Sequence, residues 1–172
     1  EKDCDYLCDG TDDQEEIITA LAALPATGGE IVILDGTYNI TATIYVNKNN
    51  VSIKGSGNAT ILKRMWDGSF ENFITLTSVE GCRIENLQID GNKTVYGIFN
   101  GHDIYLDTSS NNTIAGNTCN NGNTGIYLYS SNNNTITGNT CIRGEGLTTD
   151  YDSSQYTIRL HSTDNNYNLI TS

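Results

Sequence analysis

The sequence predicts an all-β solenoid of stacked parallel coils, closed at its N-terminal end by one α-helix. Three observations predict it. The stretch 103–119, DIYLDTSSNNTIAGNTC, returns 22 residues later as 125–141, GIYLYSSNNNTITGNTC. Its apolar-x-apolar frame recurs at Ile44-Tyr45-Val46, Ile74-Thr75-Leu76 and Ile158-Arg159-Leu160, each with a further apolar position about ten residues on. Before these units the spacing changes from two to 3.6, as it does where a helix precedes strands.

The helix comes first in the chain. Residues 1–28 read as an acidic segment and a capping helix over 12–24. Thr11 with Gln14 is spaced as a capping box, the first turn is acidic, and Pro25 with Gly28-Gly29 ends the run. Ile17, Ile18, Leu21 and Leu24 share one face, which should plug the open end of the solenoid and shield its first edge. Residues 29–172 then form the solenoid, with the five recurring units spaced by 30, 30, 22 and 32 residues.

No single unit carries enough apolar groups to close a core, so the units must stack. The predicted inward ladders are Ile44/Ile74/Ile104/Ile126/Ile158, Val46/Leu76/Leu106/Leu128/Leu160, Ile53/Ile84/Ile114/Ile136/Ile170 and a shorter Ile89/Cys119/Cys141. Asparagine suits the corners, because it tolerates the left-handed region and its amide can bond to the rungs above and below. The chain stops at Leu169-Ile170-Thr171-Ser172 in mid-rung and begins at Glu1 without an initiator methionine. The expectation is therefore a piece of a longer chain, or self-association that covers the last rung.

The repeat NNTIxGN and the segment GTDDQEEIITALAALPATGGEIVILDGTYNI resemble the pectate-lyase-like superfamily of right-handed parallel β-helices. The resemblance covers nearly the whole chain and implies about five to six right-handed rungs. It implies little about function, since the superfamily includes lyases, glycosidases, phage tailspikes and surface proteins.

Composition narrows the partners. Nine Lys+Arg against 21 Asp+Glu give a net charge of −12, which repels nucleic acid and anionic membrane surfaces. No apolar run is long enough to insert in a membrane. Of the five cysteines, Cys4 and Cys8 could close a local disulfide, whereas a metal site there would want more ligands than the nearby sequence offers. Cys119 and Cys141 read as small core residues. No cofactor and no metal is expected.

Read through the same frame, the outward positions of the tyrosine strand give two rows on one face, Tyr45/Thr75/Tyr105/Tyr127/Arg159 and Asn47/Thr77/Asp107/Tyr129/His161. Aromatic rings beside Asp, Arg and His suit the apolar C–H faces and hydroxyls of a sugar, so Tyr105, Asp107, Tyr127, Tyr129, Arg159 and His161 are the candidate binding residues. Tyrosines also ladder with one another for purely structural reasons. Segments 56–72, 92–102 and 143–156 are read as long loops gained at one corner, walling this face and carrying Trp66, Phe70, Tyr96, Phe99 and Tyr151. Catalytic groups are incomplete: carboxylate pairs are conceivable from Asp103 and Asp107 or from Asp150 and Asp152, with no indication of their separation. Two readings stand. One is a non-catalytic extracellular, cell-surface or virion-surface β-helix presenting a carbohydrate-binding or structural face, with self-assembly into a fibre, sheath or surface layer as a variant. The other is a polysaccharide lyase or glycosidase, whole or truncated.

Overall fold

The computed structural model describes residues 4–67, 71–96, 101–142, 156–162 and 164–172. Three parallel sheets run the length of a right-handed β-helix. The first holds β1 (Gly29–Val32), β4 (Val51–Lys54), β7 (Arg83–Glu85), β10 (Thr113–Ala115), β13 (Thr135–Thr137) and β16 (Leu169–Thr171). The second holds β2 (Gly36–Ile40), β5 (Thr60–Arg64), β8 (Gln88–Asp90), β11 (Thr118–Asn120) and β14 (Thr140–Ile142). The third, the tyrosine sheet, holds β3 (Ile44–Val46), β6 (Ile74–Thr77), β9 (His102–Asp107), β12 (Thr124–Tyr129) and β15 (Tyr156–His161).

The ladders form in the predicted register. Ile44, Ile74, Ile104, Ile126 and Ile158 are successive partners, and so are Ile53, Ile84, Ile114, Ile136 and Ile170. The structure extends the latter ladder back to Ile31, and the Ile89/Cys119/Cys141 ladder back through Leu62 to Tyr38. Ile44, Ile74, Ile104 and Ile126 are fully buried, while Ile158 is only half-buried, and Leu160 and Ile170 are exposed. Burial in a solenoid needs a rung on both sides, and these residues sit on the last one.

Corner asparagines tie one rung to the next. The Cys82 N–H donates to Asn112 Oδ1 (2.8 Å), the Asn112 N–H to Asn134 Oδ1 (2.9 Å) and the Asn134 N–H to Asn168 Oδ1 (2.8 Å). Asn112 Nδ2 in turn donates to the Val79 carbonyl (3.1 Å). Each amide thus satisfies a buried donor and a buried acceptor of the preceding turn, which strand pairing cannot reach at a corner.

The helix α1 (Gln14–Ala23) buries Ile17 and Leu21 in the core and packs on β2 and β3. Leu24 is half-buried against the same core, and Ile18 is 39% exposed rather than sharing the buried face. The capping box does not form. Asp13 is the N-cap, and its carboxylate accepts the N–H groups of Gly10 (2.8 Å) and Asn39 (2.6 Å), while the Gln14 amide pairs with Thr41. The polar groups at the helix start are spent on docking it to the first coil. At the other end the Lys48 ammonium donates to the carbonyls of Leu21 and Leu24 (3.2 and 2.6 Å), a cation where the helix dipole favours one.

The insertions also differ from the expectation. Within 56–72, residues Thr60–Arg64 are β5, a full member of the second sheet, because Leu62 points inward beneath Ile89. Trp66 is buried against Phe73, with ring centroids 5.1 Å apart. Segment 92–102 contains the short α2 (Lys93–Tyr96), and most of 143–156, with Phe70, Phe99, Tyr151, Asp150 and Asp152, lies outside the described residues. Among the described residues no helix is long and apolar enough to cross a membrane.

Candidate functional site

In-register stacking brings all six candidate residues onto one face. Tyr105 pairs with Tyr127 and Tyr127 with Arg159, while Asp107 pairs with Tyr129 and Tyr129 with His161. Ring centroids lie 5.3 Å apart for Tyr105 and Tyr127, 6.0 Å for Tyr127 and His161 and 5.8 Å for Tyr129 and His161. The Arg159 guanidinium carbon sits 5.4 Å from the Tyr127 ring centroid.

The residues are not equally presented. Tyr129 is 39% exposed and His161 is exposed, but Tyr127 is only 8% exposed. A flat strip of open tyrosines is therefore not what forms. The cause is His102, whose ring stacks on Tyr127 at 4.1 Å and tilts against Tyr105 at 5.6 Å. Tyr127 is the middle layer of an aromatic sandwich, and Tyr129, His161, Asp107 and the edge of Tyr105 form its outer surface.

Sequence reasoning missed His102 because strict alternation from Ile104 and Leu106 assigns it to the interior. The alternation breaks at Asp103, which occupies the inward place that Phe73 fills one rung earlier. The signal available was that column itself: Phe73, Asp103, Gly125 and Thr157 directly precede the ladder isoleucines.

Burial sets the electrostatics. The His102 imidazole is pushed down to about 4, chiefly by desolvation and then by the Arg159 charge, so it is neutral in the stack. Burial, then the neighbouring Asp107, pushes the Tyr105 phenol up to about 12. Asp107 accepts a hydrogen bond from the Thr108 hydroxyl (3.0 Å) on the outer side of the sheet. Asp103 is fully buried on the inner side, where it lines a cleft with Cys119 and Cys141. The two carboxylates lie on opposite sides of the sheet and do not converge on one substrate atom.

A second cluster lies beside α1. One ligand atom each from Cys8, Asp13 and Glu16 fall within 4.8 Å of one another, so the structure supplies neighbours for Cys8 that its sequence spacing did not promise. Cys8 and Glu16 border a cavity of about 550 Å³ between the N-terminal segment, α1 and β1.

These features define a pectate-lyase-like, right-handed parallel β-helix repeat protein. Residues 26–170 match the NosD family, described as periplasmic copper-binding protein, and the chain belongs to that family. Among solved structures it is similar to a proposed glycosyl hydrolase from Parabacteroides merdae ATCC 43184, at TM-score 0.72 and 14% identity, covering 96% of this chain and 92% of that one. It is also similar to ORF18 of Geobacillus virus E2, at TM-score 0.59 and 15% identity, covering 97% of this chain but 46% of that one. At such identities the likeness is one of fold. No curated protein sequence matches the chain.

Proposed function

We propose that the chain is a non-catalytic β-helix of the cell envelope, periplasmic or extracellular, that holds a saccharide against the outer face of its tyrosine sheet. The observation that carries this reading is the sandwich His102–Tyr127–His161, which fixes Tyr129, Asp107 and Tyr105 as a rigid rim around a neutral aromatic centre. A sugar ring gains C–H stacking on the Tyr129 and His161 rings, and its hydroxyls donate to Asp107 and accept from Arg159. Rigid aromatic side chains lose little entropy on binding, so several modest contacts along a polymer add usefully. The separated carboxylates favour binding over glycoside cleavage, which needs two facing one bond. The family's description supports the periplasmic location, and nothing comparable supports a virion surface.

Copper, which that description names, wants several soft donors. The Cys8 cluster offers one thiol, pushed up to about 11 by burial and by Asp13, and both Asp13 oxygens already hold backbone amides. Cys119 and Cys141 are soft donors, but their cleft is too tight to admit a water. The residues described do not fit a resident copper ion.

The test is retention on an array of immobilised bacterial and plant polysaccharides. The natural protein should be retained on a subset of them. Tyr129→Ala and His161→Ala should each weaken retention on the order of tenfold, the loss of one aromatic contact of about 1 kcal/mol plus its hydrogen bond. Retention on no polysaccharide, or retention unchanged in both variants, overturns the reading.

A further inference from the structure

Cys119 and Cys141 are direct partners in the β11–β14 pairing, and both side chains enter the interior. Paired parallel strands lie about 4.8 Å apart, inside the roughly 4.4–6.8 Å between Cα atoms that a disulfide accepts. Each thiol's proton affinity is shifted by the other, that of Cys119 upward and that of Cys141 downward. Cys119 is buried, whereas Cys141 is part-exposed on β14, the edge strand of its sheet.

The third member of the cleft is Asp103. Its side chain is 0% exposed, and neither carboxylate oxygen has a hydrogen-bond partner. Two glycines make room for the group. A Cβ on Gly122 would lie 2.4 Å from Asp103 Oδ1, and one on Gly125 would lie 2.7 Å from Cys141 Sγ. A fully buried carboxylate with no partner costs stability and does nothing for the core. A proton acceptor beside two thiols accounts for it.

We propose that Cys119 and Cys141 are a redox-active pair that closes into a disulfide between adjacent rungs by exchange with an external disulfide, with Asp103 as the proton acceptor. Cys141, the sulfur of the part-exposed residue, gives up its proton to solvent and attacks one sulfur of the incoming RS–SR as the thiolate. That S–S bond breaks, one RS⁻ leaves and takes a proton from solvent, and Cys141–S–S–R remains. Cys119 then passes its proton to Asp103 and attacks the Cys141 sulfur, which expels the second RS⁻. Asp103 then passes its proton to that departing thiolate. Two thiols are oxidised to one disulfide, and one external disulfide is reduced to two thiols. The groups facing Asp103 are Cys141, Asp90 at the end of β8 and the Arg64 guanidinium from β5. The first two and burial raise its pKa and Arg64 opposes them, so the carboxylate, once ionised, is a stronger base than an ordinary aspartate.

The sequence makes the experiment direct, because Lys93 and Arg143 are successive tryptic sites and peptide 94–143 carries both cysteines and no other. The folded natural protein is treated with oxidised glutathione, alkylated under denaturing conditions and digested. Peptide 94–143 should appear two hydrogens lighter and unalkylated. Cys119→Ser should trap glutathione on Cys141, and Cys141→Ser should leave Cys119 unmodified. Asp103→Asn should slow closure at least about tenfold and flatten its pH profile, as loss of a general base does. A natural-protein peptide with both cysteines alkylated, or with glutathione on each, overturns the pair whatever the variants do. So does copper or zinc that purifies with the protein and is lost in Cys119→Ser. An unchanged pH profile in Asp103→Asn removes Asp103 from the step.

Discussion

Replacing Tyr127 by alanine separates support from contact in the aromatic face. Tyr127 is 8% exposed, with His102 stacked on one side and the Arg159 guanidinium near its ring. A tyrosine buries about 150–250 Å², which at about 25 cal/mol per Å² is roughly 4–6 kcal/mol. Residual burial in the unfolded chain takes off about a third, leaving about 3–4 kcal/mol. The ring lies on the outer side of the sheet, so water can enter the gap and no sealed cavity adds to the loss. Tyr129, 39% exposed, keeps about two thirds of that burial and should cost about 2 kcal/mol on the same reasoning. For a chain of this size each kcal/mol moves Tm by about 2–4 °C, so Tyr127→Ala should melt roughly 6–16 °C below the natural protein and Tyr129→Ala roughly 4–8 °C below it. Far-UV circular dichroism against temperature, repeated against urea to check that the slope is unchanged, measures both. Equal melting of the two variants would refute the sandwich and return Tyr127 to the binding surface.

Two other perturbations test the scaffold. Asn112→Ala strips partners from the Cys82 N–H and the Val79 carbonyl, both buried, and should cost about 2–4 kcal/mol in urea denaturation. Asn112→Asp should be no better, since a carboxylate cannot donate to Val79. For His102, the folded value of about 4 lies below the ordinary 6.5, so its contribution to stability is complete above about pH 6.5 and is lost as pH falls towards 4. Melting temperature in that window should fall more steeply for the natural protein than for His102→Gln, and parallel curves would show that the imidazole is not desolvated.

The scaffold was legible because each rung repeats one physical requirement. An inward isoleucine must meet another inward side chain 4.8 Å away or lose its burial, so Ile44 to Ile158 and Ile53 to Ile170 could be aligned from alternation alone. Which residues reach the outer face was legible for the same reason. How open each would be was not, because exposure depends on what the corner before the strand does. The residue before the ladder isoleucine turns inward in this rung as in the one before, Asp103 like Phe73, which leaves His102 outside to cover Tyr127. β5 was hidden for a related reason: Thr60–Arg64 alternates correctly, but its distance from β4 departs from the 22-residue unit, so it read as an insertion. The failed capping box shows the same limit, since local spacing cannot know that Asn39 and Thr41 will arrive as better partners.

Asp103 is where the stacking rule and the chemistry conflict, and its effect on stability should run opposite to that of His102. Burial, the largest influence on this carboxylate, raises its pKa well above the ordinary value, with Cys141 and Asp90 adding to it and only Arg64 opposing. A group whose folded pKa is raised stabilises the fold fully below its unfolded value of about 4 and loses that contribution as pH rises through the folded value. Above that point the chain carries a buried, unpartnered charge. Asp103→Asn keeps the shape and removes the charge, so it should denature at higher urea than the natural protein above neutral pH and lose that advantage in acid. The Arg64 charge is the counterweight: were its attraction larger than the burial penalty, the substitution would destabilise the fold at every pH above about 4, and Asp103 would then be one half of an internal ion pair. Because burial is the larger influence, the expected sign is stabilisation. The same variant is expected to exchange thiols slowly, so a protein made sturdier and chemically slower by one isosteric change would show that the carboxylate is kept against the interest of the fold.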